Sequence, residues 1–245
     1  MSELLTIDEK TYPLLQSATT ATIATVLAKR GLWHQFVTGA RPLSPGKSMI
    51  GQAFTLRYIP ARADVDHNLV FDNSKDPQRL AIEQVGPGDV LVIDARGNEN
   101  AGTMGNILAT RMVARGAVGI VTDGCFRDSP AIAQMDIAAY ARSAHAATNK
   151  TVHHPADIQL PVGCGGVAIY PGDIMVGDDE GVVVVPRAMA DEVGREAASQ
   201  EHREDFILGK IAQGAPLLGT YPADEQTLAE YEEHCKTSPP PDGAQ

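Results

Sequence analysis

Residues 118–130 read V-G-I-V-T-D-G-C-F-R-D-S-P, a β-branched run that ends by setting Arg127 against Asp128. A guanidinium grips a carboxylate through two parallel hydrogen bonds. An aspartate offers oxygen to a hard divalent cation, and water completes the shell, as Mg²⁺ and Mn²⁺ prefer. Upstream, A-R-G-N-E-N-A-G-T-M-G-N (95–106) is a glycine- and asparagine-rich loop that opens a helix. The peptide N–H groups around Thr103, Met104, Gly105 and Asn106 then form an anion-binding helix N-terminus. The implied ligand is a small carboxylate held by Arg127 and those amides, beside a cation on Asp128. A 2-oxo acid fits, because its carboxylate and keto oxygen chelate a metal together. Stabilising an enolate there is the chemistry of retro-aldol cleavage or decarboxylation.

The same residues admit a plainer reading. Adjacent Arg and Asp also serve as a loop cap or a surface ion pair worth less than about 1 kcal/mol. The loop lacks the third glycine of G-x-G-x-x-G and the Gly-Lys-Ser/Thr of a P-loop. Cys125, two residues before Arg127, is a candidate nucleophile with no histidine near it in sequence, and it reads better as packing. His153-His154 lie in H-H-P-A-D, which reads as a surface loop, and on an extended segment they would face opposite ways. His67 follows a polar stretch and is a candidate pocket residue. Asp178-Asp179-Glu180-Gly181 reads as a hairpin turn rather than a metal site. Asp94 reads as an orienting residue at a strand end.

These groups need a frame. V-L-V-I-D (90–94) and 118–122 are apolar runs short enough for buried strands. Between them a helix is predicted with Met104, Ile107, Leu108 and Met112 on one face, Thr103 as N-cap and Gly116 as stop. Residues 90–122 thus form one right-handed βαβ unit, whose loop and second strand end share a sheet edge. Elsewhere, helices are predicted over 20–30, ending at Gly31, and over 76–84, with Pro77 at its first position. Strands are predicted at 49–59, at 137–144 and within 161–186. A polar helix over about 187–213 is expected to cover a surface or reach a neighbouring subunit. Residues 236–245, K-T-S-P-P-P-D-G-A-Q, read as a disordered tail behind a single domain of 1–235.

The chain has 245 residues, no visible repeat, 43% hydrophobic and 21% charged residues, the balance of an ordinary globular protein. Its net charge of −11 disfavours nucleic acid as a partner. Three widely spaced cysteines suit a reducing cytoplasm and neither a zinc set nor a disulfide framework. No apolar run approaches membrane-spanning length, and M-S-E-L-L-T-I-D-E-K lacks a signal-peptide core. The expectation is a cytoplasmic protein without a membrane partner.

The segment G-T-M-G-N-I-L-A-T-R-M-V-A-R-G-A-V-G-I-V-T-D-G-C-F-R-D, followed by P-V-G-C-G-G-V-A-I-Y-P-G-D-I-M-V-G-D-D-E-G-V-V-V-V-P, closely resembles the RraA-like family. That family includes class II 4-hydroxy-4-methyl-2-oxoglutarate/4-carboxy-4-hydroxy-2-oxoadipate aldolases and the regulator of ribonuclease activity A. The resemblance spans roughly residues 15–215. It implies a swivelling β/β/α-type α/β fold with a C-terminal helix, and trimers or hexamers with active sites between subunits. It also implies a Mg²⁺- or Mn²⁺-dependent lyase acting on a small 2-oxo acid. Arg127 would bind the substrate carboxylate and polarise the keto oxygen, Asp128 would ligate the metal, and the Met104 and Gly105 amides would hold the carboxylate. Glu201 or Glu204 from a neighbour's helix would assist metal-bound water. The family's aldolases place Asp twenty residues before Arg-Asp, whereas this chain has Asn106 there. The resemblance therefore also leaves room for oxaloacetate decarboxylation, dehydration of a 2-oxo sugar acid, or a non-enzymatic regulator that binds another protein.

Overall fold

The computed structural model describes residues 10–66, 72–241 and 243–244. The site's frame is a mixed sheet ordered Arg41–Pro42, Ala138–Ala141, Gly119–Thr122, Asp89–Asp94, Met49–Pro60, Ile174–Gly177, Val182–Val185. Met49–Pro60, Asp89–Asp94, Gly119–Thr122 and Ala138–Ala141 run parallel. Such strands are covered on both faces, and the apolar runs follow: all four residues of Gly119–Thr122 are buried. The predicted βαβ unit is present, with the Asn106–Ala114 helix crossing between Asp89–Asp94 and Gly119–Thr122.

One face packs on the Pro77–Gln84 and Asn106–Ala114 helices through Leu56, Tyr58, Ile82, Leu91, Met112 and Phe126. Burying each such side chain contributes roughly 1.5–3 kcal/mol. The other face packs on the hairpin of Val162–Cys164 and Val167–Ile169. The Thr20–Lys29 helix and the long Ala190–Ala212 helix close a third cluster around Ile23, Leu27, Val183 and Val193. The polar 187–213 segment thus covers a surface of its own chain, through Val193, Ala197 and Ala198. Of the 236–245 tail, 236–241 and 243–244 are described, and Ala244 packs with Leu14 and Ala198.

Several local expectations hold. Gly31 and Gly116 take positive φ of 83° and 85° where their helices stop. The expected helix with Pro77 at its first position is present as Pro77–Gln84, and Asp76 proves to be its cap, accepting from Arg79 N at 3.1 Å. Asp178-Asp179-Glu180-Gly181 is a turn, and Asp178 also receives the Thr20 N–H and hydroxyl, each at 2.8 Å.

Four local expectations are corrected. His153–Ile158 is a strand, not a surface loop, because it pairs antiparallel with the far half of Met49–Pro60. That long-range partner leaves no local trace in H-H-P-A-D. The Asn106–Ala114 helix begins after Gly105, so Thr103 is not its N-cap: its hydroxyl donates instead to Cys125 O at 2.8 Å. Met104 precedes the helix, and Ile107, expected on the buried face, is 80% exposed. The strand predicted over 137–144 is split at Arg142 into Ala138–Ala141 and Ser143–Ala144, which join different sheets.

Candidate functional site

Phe126 is buried and anchors the turn that follows, so the next two residues emerge at a fixed point. Arg127 N donates to Met104 O at 3.0 Å, which ties the turn to the loop before the helix. Asp128 sits at φ 56°, a left-handed conformation that Asp tolerates better than most residues, and opens the short Ser129–Ala133 helix. Its Oδ2 lies 3.4 Å from Asn106 N and 3.7 Å from Arg127 Nε. Both side chains are partly exposed. They line one cleft of about 770 Å³ together with Met104, Gly105, Asn106 and Gln78.

The glycines make this closeness possible. A Cβ on Gly102 would stand 2.6 Å from Arg127 N, and one on Gly105 would stand 2.6 Å from Asp128 Oδ2. Of the N–H groups from Thr103 to Asn106, the first donates to Cys125 O at 2.6 Å and the last faces Asp128. Among the described residues, nothing accepts from Met104 N or Gly105 N. These two donors, with the Arg127 guanidinium, form a cationic rim suited to a carboxylate.

The opposite wall comes from the Pro77–Gln84 helix and residues 148–149, which sequence reasoning did not connect to the site. Arg79 and Arg111 line the cleft, and Arg111 forms a fork with Glu83, Nε–Oε1 at 3.1 Å and Nη2–Oε2 at 2.7 Å. That pairing holds the Glu83 carboxyl below its ordinary range. The only sequence signal was a pair of arginines on predicted helices.

The remaining candidates lie apart from this cleft. Thr103 is buried behind it. Glu201 accepts from Thr19 N at 3.1 Å and Glu204 from Gln200 Nε2 at 2.8 Å, and neither lines the cleft of its own chain. Cys125 is buried with its Sγ 3.0 Å from Ser143 Oγ, and burial pushes the thiol up, away from nucleophilic use. Asp94 braces two loops, accepting from Arg96 N at 2.9 Å and Gly163 N at 3.3 Å. Asp123, not singled out in the sequence, does the same for Ala95 N and Gly97 N at 2.7 and 2.8 Å. His153 is fully buried and stacked on Tyr58, while His154 Nδ1 meets Asp66 Oδ1 at 2.6 Å. His67 lies outside the described residues.

A metal was expected on Asp128. Among the described residues no group of three or more His, Cys, Asp or Glu is gathered to hold an ion. A single half-exposed carboxylate beside an open cleft still fits Mg²⁺ or Mn²⁺, which keep several waters and take one or two carboxylates plus substrate oxygens. It does not fit zinc, which wants three or four protein ligands.

The fold agrees with what known proteins show. The RraA-like profile, described as Aldolase/RraA, matches residues 20–184, so the chain belongs to the RraA-like family. It is 31% identical over 175 residues to a Halalkalibacterium halodurans protein named "Putative 4-hydroxy-4-methyl-2-oxoglutarate aldolase", covering 70% of this chain and 77% of that one. Protein DlpA of Legionella pneumophila is 29% identical over 177 residues, and the match spans 72% of this chain but only 28% of that longer protein. The crystal structure of Streptomyces coelicolor RraAS2, described as an unusual member of the RNase ES inhibitor RraA protein family, superposes with a TM-score of 0.74. It shares 31% identity and covers 82% of this chain and 98% of its own.

Proposed function

We propose that this protein is a divalent-metal-dependent lyase acting on a small 2-oxo acid, by retro-aldol cleavage of a 4-hydroxy-2-oxo acid or decarboxylation of oxaloacetate. The observation that carries the reading is the convergence of Arg127, Asp128 and the two open amides of Met104 and Gly105 on one cleft. The name of the Halalkalibacterium relative supports the aldolase class.

In this reading the Met104 and Gly105 N–H groups take the substrate carboxylate, and Arg127 spans that carboxylate and the keto oxygen. Asp128 holds Mg²⁺ or Mn²⁺, which supplies Lewis acidity for the enolate when bound. Arg127 adds a second positive charge where the enolate oxygen develops. Asn106 donates its backbone N–H toward Asp128 and so helps to orient it, but its amide side chain neither accepts a proton nor adds charge. Proton movement then falls to a group outside this loop, and Glu201 or Glu204 of a second copy in a trimer or hexamer is the proposed source. Between the two, Glu204 is the freer, since Glu201 Oε2 accepts from both the N–H and hydroxyl of Thr19. The site of action proposed is the cytoplasm.

The test is pyruvate release from oxaloacetate and from 4-hydroxy-2-oxo acids, with Mg²⁺ or Mn²⁺ and again after EDTA. Activity that persists in EDTA removes the metal role. Silence on every 2-oxo acid, 2-oxo sugar acids included, favours the second reading, a regulator that binds a protein. The likeness to RraAS2 is the observation behind that alternative.

A further inference from the structure

Behind the cleft lies a closed polar network that the proposed chemistry does not itself use. Gln78 Nε2 donates to Thr103 O and to Tyr58 Oη, each at 2.7 Å, and Tyr58 Oη donates to the same Thr103 O at 3.0 Å. Asn149 Nδ2 donates to Gln78 Oε1 at 3.2 Å. Tyr58 and Thr103 are fully buried, and Gln78 and Asn149 nearly so. The orientation of the Gln78 amide is dictated: turned over, it would set oxygen against the Thr103 carbonyl and N–H against the Asn149 amide.

We infer that Gln78 is a positioning residue which, with Tyr58, fixes the Thr103–Met104 peptide so that the Met104 N–H is presented to a carboxylate. A trans peptide is planar, with its N–H opposed to its C=O. Two buried donors hold the Thr103 carbonyl toward the network, which turns the Met104 N–H away from it. No described residue accepts from that N–H. Buried backbone donors rarely go unpaired without a reason. An anion hole gives one, because donors fixed before the ligand arrives need no rearrangement on binding. The inference rests on the anion-binding role proposed for Met104 and Gly105, and adds what sets its geometry.

The experiment titrates oxalate, a rigid mimic of a 2-oxo acid enolate, into the Mg²⁺-loaded protein by calorimetry, alongside oxaloacetate kinetics. Wild type should bind, and Arg127→Met should not. Gln78→Met, similar in shape but without donors, should weaken oxalate about tenfold and raise KM in step, with kcat changed less than about threefold. Gln78→Glu supplies the readout that a packing role would not move. Ionised, it repels the Thr103 carbonyl; protonated, it donates to it as Gln78 does. A buried carboxyl titrates above its ordinary range, so its affinity relative to wild type should recover as pH falls from about 8 toward 5.5. Tyr58→Phe, which deletes one oxygen, carries the test if Gln78→Met does not fold, with a smaller loss of the same kind. Wild-type affinity in Gln78→Met or in Tyr58→Phe, or a pH-independent deficit in Gln78→Glu, overturns the inference and leaves the site reading standing. Absent binding in wild type, or binding that survives Arg127→Met, overturns both.

Discussion

The Asp128 carboxylate occupies the space into which any side chain at Gly105 would grow, with Oδ2 2.6 Å from the position of a Cβ there. Helix start and acidic group are therefore in mutual contact, and a single methyl is enough to part them. Gly105→Ala should push the carboxylate off its place and cost at least tenfold in metal-dependent pyruvate release. Stability should stay within about 1 kcal/mol, since a partly exposed side chain can swing aside. Gly102→Ala provides the contrast. Its methyl meets Arg127 N at 2.6 Å and His145 O at 3.1 Å, backbone atoms that cannot swing. It should lose about 1–3 kcal/mol in denaturant unfolding.

Asp128→Asn separates charge from conformation. Asn tolerates the left-handed backbone at φ 56° and still accepts from Asn106 N, so melting should be unchanged. Without the negative charge, activity should fall at least a hundredfold and no longer respond to added Mg²⁺ or Mn²⁺. Asp128→Ala should lose activity equally and fold less stably by about 1 kcal/mol, from the strained backbone. Residual metal response in Asp128→Asn would point to another ligand.

Asn106 begins its helix with its backbone N–H toward Asp128, and the residue is exposed enough to accept a charge. Asn106→Asp should raise aldol cleavage of 4-hydroxy-2-oxo acids by tenfold or more if the missing element is electrostatic. Steady-state rates on the folded variant decide this, and no gain counts against that account.

His153 supplies a pH dependence of stability. Burial, with the nearby Arg96 guanidinium, pushes its pKa down from 6.5 to about 4. The unfolded chain then binds the proton more readily than the folded one, so stability rises with pH between about 4 and 6.5 and is complete above that window. Acidification across it should cost on the order of 2 kcal/mol. His153→Gln should flatten that part of a denaturation-versus-pH profile. An unchanged slope would assign the acid sensitivity to other groups.

The frame of the site was legible because it is local. The runs at 90–94 and 118–122, the punctuation at Gly116 and the Arg127-Asp128 pair each carry their signal within a few residues. Asp76 and Pro77 marked their helix start just as plainly. What escaped depends on distant partners. Gln78 sits on the predicted 76–84 helix, but its role arises from a tyrosine 20 residues before it and a carbonyl 25 residues after it. His153–Ile158 is a strand because Met49–Pro60 continues past Ile174–Gly177 and leaves an edge to fill. Thr103 has the type of a cap, but the bond to Cys125 O, across the βαβ unit, claims its hydroxyl instead.

The pairing of Met49–Pro60 with His153–Ile158 shifts register between Arg57 and Tyr58, opposite Asp157 and Pro155, with Ala156 as the surplus residue. That one irregularity changes the phase of the ribbon midway. Ahead of it Arg57 and Asp157 meet at the surface; beyond it His153 lies inward against Tyr58. Excising Ala156 would keep Arg57 opposite Asp157 and Tyr58 opposite Pro155, and so straighten the ribbon without changing which way either histidine faces.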